Sequence, residues 1–153
     1  MRELKEYGKL LIVYFDDDRI FICPHHPVIR GDGDLIGFGD EGPVSELHRN
    51  SSIDNLQGII LENFERCNQY FLDKFPERLG IEMHLKVRSY KAATKDKKLV
   101  TILLNTDGYS ISTHKTEKPT VFIPTETFEI NETKAIYENF LAVKVLEAMD
   151  LST

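Results

Sequence analysis

Residues 51–75 read SSIDNLQGIILENFERCNQYFLDKF, and the spacing of apolar side chains in this stretch decides the fold class. Ile53, Leu56, Ile60, Phe64, Cys67, Phe71 and Phe75 recur at three- and four-residue steps, the period of a helix with one face on a core. Asp54, Gln57, Asn63, Glu65, Arg66 and Asp73 fall largely on the remaining circumference. The stretch is therefore expected to form an amphipathic helix of about seven turns at 3.6 residues per turn. Ser51, with Asp54 three residues on, supplies an N-cap, and Pro76 cannot continue the ladder. A helix with a single apolar stripe needs a second layer to cover.

The flanking sequence supplies strands for that layer. KLLIVYF (Lys9–Phe15) is rich in β-branched and aromatic residues, and RIFIC (Arg19–Cys23) returns after Asp16-Asp17-Asp18 as the second arm of a hairpin with a hydrated tip. IEMHLKVR (Ile81–Arg88) alternates strictly between apolar and polar, which reads as a half-buried strand. Leu99–Leu104 and Tyr109–Thr113 flank Asn105-Thr106-Asp107-Gly108 as a further hairpin, and Thr120–Ile123 adds another strand. Helical spacing resumes over Glu132–Leu151 at Ile136, Phe140, Val143, Leu146 and Met149, with Asn131 placed to cap it. The expectation is an α+β fold, a largely antiparallel sheet packed against two long helices, in one domain spanning residues 1–153.

Length and composition agree with this reading. A chain of 153 residues is long enough for one substantial core and short for two. Its 41% hydrophobic and 29% charged content is ordinary for a globular protein and argues against intrinsic disorder. No apolar run approaches eighteen residues, and three aspartates follow the first short one where a signal peptide would carry small residues. A cytoplasmic protein without a membrane role is expected. Cys23 and Cys67 lack metal-ligand spacing, and Cys67 lies on the apolar stripe, where a free thiol packs as a small hydrophobe.

Residues 24–50 form a long segment rich in Gly, Pro and Asp with only Leu35, Ile36 and Phe38 to suggest a short strand, and long connections of this kind are often functional. Gly31-Asp32-Gly33-Asp34 lacks the later glutamate and ligand spacing of a calcium loop and reads as a turn. Gly37, Gly39 and Gly42 precede no Gly-Lys-Ser/Thr, and Asp40 and Glu41 would repel a phosphate. Cys23-Pro24-His25-His26-Pro27 could ligate zinc or supply an acid and a base, but neighbouring residues on an extended chain point to opposite faces. Glu82, His84 and Lys86 would share a strand face as in a nuclease, yet no spaced catalytic aspartate joins them. A metal-assisted hydrolase built on the His- and Asp-rich 23–48 segment is the competing class. The preferred reading has no catalytic residue, metal or cofactor.

Charge gives the remaining signal. Between Asp16 and Glu46, eight acidic residues face only Arg19 and Arg30, a net of −6. Between Ile81 and Lys118, eight lysines and arginines face four acids, a net of +4. Solvated faces explain both, but an acidic segment also steers a basic protein partner and repels nucleic acid.

Glu62-Asn63-Phe64-Glu65-Arg66-Cys67 closing the capped helix, then Ser89-Tyr90-Lys91-Ala92-Ala93-Thr94-Lys95-Asp96-Lys97-Lys98-Leu99-Val100, two strands and a final helix, resemble immunity proteins of contact-dependent growth inhibition systems, the CdiI type. The resemblance runs from about Arg19 onward. It implies a small, soluble, non-enzymatic protein that binds and blocks the C-terminal toxin domain of a cognate inhibition protein, commonly a nuclease, without touching nucleic acid itself. For such a partner the richest supply of carboxylates is Asp16, Asp17 and Asp18 with Asp32, Asp34, Asp40 and Glu41, expected to converge at one end of the sheet. The resemblance assigns no single binding residue; Ser89, Tyr90 and Lys91 are read as a strand end, with a shared pocket or edge as the alternative.

Overall fold

The computed structural model describes Leu4 and residues 7–153. Six strands form the main sheet: β1 (Lys9–Phe15), β2 (Arg19–Pro24), β5 (Ser45–His48), β6 (Lys98–Asn105), β7 (Gly108–Lys118) and β8 (Val121–Ile130). Their order is β5-β2-β1-β6-β7-β8, with every neighbouring pair antiparallel. Two shorter strands, β3 (His26–Ile29) and β4 (Leu35–Gly39), pair separately as an antiparallel ribbon. The helices are α1 (Ile53–Arg66), α2 (Gly80–Leu85), α3 (Tyr90–Ala93), α4 (Glu132–Ile136) and α5 (Phe140–Leu151).

Strand alternation sends side chains to two cores. Leu11, Val13, Ile20, Ile22, Val100, Ile102 and Ile111 point to one face and meet Leu56, Ile60 and Phe64 of α1 and Leu141, Val145 and Met149 of α5. The α1 helix lies over β1, β2 and β5, α5 lies over β6 and β7, and the two helices touch. On the opposite face Tyr14, Phe21, Cys23 and Leu99 are covered by Ile81 of α2 and Ala93 of α3 in a smaller core. The expected α+β architecture of an antiparallel sheet against two helical elements is the one observed. Among the described residues no helix is long and apolar enough to cross a membrane.

Several elements differ from expectation. The helix predicted over 51–75 spans only Ile53–Arg66, and its N-cap is Ser52, whose Oγ accepts from the Asn55 N–H at 3.1 Å. It ends because Asn68 adopts φ 54° and is tied to strand backbone: its N–H donates to His25 O and its amide to Gly8 O at 2.9 Å. The chain then runs beside β3, with Leu72 exchanging backbone hydrogen bonds with Pro27 and Ile29. The apolar period continued past the helix because these side chains pack individually. Phe71 meets Tyr7 edge-on at 5.7 Å, and the ring of half-exposed Phe75 covers Gly37, leaving no room for a Cβ there. Ile53 is 43% exposed, whereas Gln57 and Asn63 are buried. Gln57 joins α4 to α5 by donating to Ala135 O and accepting from the Ala142 N–H at 2.9 Å.

The strand expected over Ile81–Arg88 is instead α2, followed by Lys86 in the left-handed region at φ 59°. A helix this short presents little more than one turn to its core, so two apolar residues four apart satisfy either period. Ile81 is buried, Leu85 is half-buried and Met83 is exposed. Capping decides the matter: Glu82 Oε2 accepts the Leu79 N–H at 3.0 Å and Asp40 Oδ2 accepts the Ile81 N–H at 3.1 Å. The helix predicted over Glu132–Leu151 is kinked between α4 and α5 by Glu138 and Asn139, both at positive φ, with the Asn139 amide donating to Asp54. Strand β8 continues to Ile130, well past the predicted Ile123, as a sheet edge that tolerates Pro124 beside an irregularity in register.

Candidate functional site

The seven carboxylates singled out from sequence fall in two places. Asp16 stabilises the β1–β2 turn, its Oδ1 accepting the N–H groups of Asp18 and Arg19, both at 2.8 Å. Asp17 and Asp18 are exposed and border a hollow of about 370 Å³ shared with Arg19, His48, Arg49 and Asn50. The Arg49 N–H donates to Asp18 O, and Arg49 Nη1 to Asp16 O, so the turn is held rather than loose. Neither Asp17 nor Asp18 forms an ion pair among the described residues; Arg19 turns instead to Glu46 and His48.

The second group lies along the β3–β4 ribbon and the return to β5. Asp32 and Asp34 are exposed and share Arg30 at 3.3 and 3.1 Å, which halves their local charge. Glu41 is exposed and accepts from Tyr70 Oη at 2.8 Å. Asp40 does not belong to the surface. It is 2% exposed, and its carboxylate accepts the N–H groups of Gly42 at 2.9 Å and Ile81 at 3.1 Å, holding α2 against the sheet. Nor do the groups converge at one sheet end. Strand pairing puts Asp18 beside the Arg19–His48 end of β2, whereas Asp40 and Glu41 lie beyond the Ile22–Ser45 pair at its other end, about 10 Å of strand away at 3.3 Å per residue.

The histidine pair is interior. His25 Nδ1 is 2.9 Å from Cys23 O, and His26 stacks on Tyr70 at 4.2 Å while its Nδ1 accepts the Gln69 N–H. Burial lowers the pKa of both imidazoles, leaving neutral rings in the fold. Burial likewise raises the thiol of Cys23 well above its usual value and that of Cys67 to about 11, so both are poor nucleophiles at neutral pH. Among the described residues no three His, Cys, Asp or Glu side chains are grouped to hold a metal ion. Glu82, His84 and Lys86 do not share a face either, since the first caps α2, the second reaches Glu46 at 2.9 Å and the third terminates the helix.

Ser89, Tyr90 and Lys91 do not form a strand end: Ser89 caps α3, which begins at Tyr90, whose Oη lies 2.8 Å from that of Tyr14, while Lys91 is exposed. The arrangement offers two acidic, solvated edges.

No protein-family model matches the chain, and no curated protein matches it. Among solved structures, a protein of unknown function from Neisseria meningitidis is similar with a TM-score of 0.70 and 11% identity, each chain covered completely. A CdiA-CT/CdiI toxin and immunity complex from Yersinia pseudotuberculosis is similar with a TM-score of 0.68 and 11% identity over 96% of this chain and 98% of that one. At this identity the likeness establishes a shared fold.

Proposed function

We propose that this protein is an immunity protein of the contact-dependent inhibition type, which binds and neutralises the C-terminal toxin domain of a cognate inhibition protein, with a nuclease as the partner that best fits its charge. The observation that carries the reading is the fold-wide similarity to the Yersinia toxin and immunity complex, which extends over nearly the whole of both chains. Surface chemistry supports it. A nuclease cleft must be basic to hold phosphates, and Asp17, Asp18, Asp32, Asp34 and Glu41 present carboxylates on exposed backbone, with Asp16 ordering the first of these turns. Neutralisation works by occupation: carboxylates take the place of phosphates, and no bond in the toxin's substrate or in the toxin is broken. Asp40 holds the scaffold that carries Glu41 and lies outside the contact surface.

The test is protection. Cells expressing the toxin domain encoded by the reading frame immediately upstream should grow when this chain is co-expressed and stop growing without it. Continued arrest in the presence of soluble, folded protein would refute the assignment.

A further inference from the structure

A second concave feature differs in charge and composition from the acidic edges. A cleft of about 870 Å³ lies between the 89–98 segment and the β7–β8 turn. Lys91, Lys95, Lys97, Lys98 and Lys118 line it, with Asp96 as its one acidic side chain. None of these lysines forms an ion pair among the described residues. Arg19, Arg30, Arg49, Arg66 and Lys144 each have a carboxylate partner within 3.7 Å, whereas Lys74, Lys86 and Lys134, like the cleft lysines, have none among the described residues. On a chain with a net charge of −6, five lysines line this one cleft, the ammonium of Lys97 lying over the Phe21 ring at 5.4 Å.

The lining is not only charged. Ala92, Pro119 and Phe122 provide apolar surface. Thr116 also belongs to the lining, although its Oγ1 is itself buried and not open to the cleft. Two lining residues hold left-handed backbone, Asp96 at φ 59° and Thr120 at φ 68°. The second belongs to the two-residue loop between β7 and β8, a turn that itself calls for a positive φ at that position. Cleft volume, apolar lining and a few placed polar groups match the usual anatomy of a small-molecule site.

From these features we infer that the cleft binds an organic anion: an apolar body, seated against Phe122 and Pro119, that carries a phosphate, sulfonate or carboxylate group to the lysines. Inorganic phosphate alone has the charge without the body and fills little of the volume. The site is independent of the acidic edges, so it stands whether or not a toxin is the protein partner.

The experiment uses 8-anilinonaphthalene-1-sulfonate, an aromatic sulfonate that fluoresces on leaving water, with the full chain. Native protein should bind it saturably with one-to-one stoichiometry and more weakly as salt rises, while equal ionic strength of inorganic phosphate should displace little beyond the salt effect. A variant combining Lys91→Glu, Lys95→Glu and Lys118→Glu should lose about tenfold or more in affinity. Lys74→Glu, Lys86→Glu and Lys134→Glu together make the same change in net charge elsewhere and should stay within about twofold. Amide chemical shifts of the wild-type chain, which need no variant to fold, should move on titration at residues 89–98 and 116–122. Absence of saturable binding, equal loss in both triple variants, or shift changes centred elsewhere would each overturn the assignment.

Discussion

Replacing Asp40 by Ala separates the two roles a carboxylate can play in this protein. Asp40 is 2% exposed and accepts two backbone N–H groups, from Gly42 at 2.9 Å and from Ile81 at 3.1 Å. Truncation strands the buried Ile81 donor and frees the half-buried Gly42 donor to meet water, and a buried unsatisfied donor costs about 1–3 kcal/mol. The Ile81 donor alone places the loss at about 1–3 kcal/mol, and Gly42 adds less because solvent reaches it. Gly80 tightens the arrangement further, since a Cβ on it would fall 2.2 Å from Asp40 Oδ1. Asp40→Asn keeps an acceptor but introduces an amide donor facing other donors, and should recover only part of the loss. Urea unfolding followed by circular dichroism measures these differences directly. The same measurement on Asp17→Asn with Asp18→Asn should show a change within about 0.5 kcal/mol, as expected of surface substitutions. If Asp40→Ala falls in that range too, the carboxylate is solvated and the description of α2 anchored by Asp40 is wrong.

Three further outcomes are expected. Phe64→Ala should cost about 3–5 kcal/mol in urea unfolding, because that ring is 3% exposed and meets Tyr109 edge-on at 5.3 Å; a loss below about 1 kcal/mol would contradict the packing of α1. Stability should fall on acidification: burial lowers the pKa of His25, His26 and His114 from the usual 6.5, so the unfolded chain takes up protons first, and the loss begins near pH 6.5 and is complete below the folded-state values. A denaturation midpoint that holds or rises between pH 7.5 and pH 5 would contradict those buried neutral rings. Finally, Asp17→Asn with Asp18→Asn, and separately Asp32→Asn, Asp34→Asn and Glu41→Gln, should slow association with the toxin domain more at low salt than at physiological ionic strength, where the Debye length is about 8 Å. Stopped-flow rates equal to wild type for both sets at low salt would remove the acidic edges from recognition.

Much of the scaffold was legible because its signals are long. β1, β2 and the β6–β7 hairpin each carry several β-branched or aromatic residues around a turn of Asp, Asn or Gly, and local pattern and tertiary pairing agree. Short elements misled. Within Ile81–Arg88 the four apolar residues alternate, but only Ile81 is fully buried, and the helix is selected by Glu82 and by Asp40, 41 positions upstream of Ile81. That long-range cap has no local signature. The same contact explains why Asp40 read as a surface charge: nothing in Gly39-Asp40-Glu41 distinguishes a carboxylate that meets backbone donors from one that meets water. Extension of the first helix to Phe75 failed because Asn68, an ordinary polar residue by spacing, binds Tyr7 O and Gly8 O some 60 positions away. The basic cleft left a trace in sequence as the lysine excess between Ile81 and Lys118, but only folding brings the 89–98 lysines against Lys118 and Phe122.

Recognition of a toxin domain is measured without intermediaries by calorimetric titration of the purified protein with the C-terminal domain encoded immediately upstream. A toxin domain inactivated by substitution of a catalytic residue can be used, since binding and not catalysis is measured. A one-to-one complex is expected, with a dissociation constant of about 10⁻⁷ M or tighter, in the range of specific, stable protein interfaces. Absence of heat and of any complex by size-exclusion chromatography at tens of micromolar, with both proteins folded, would contradict it.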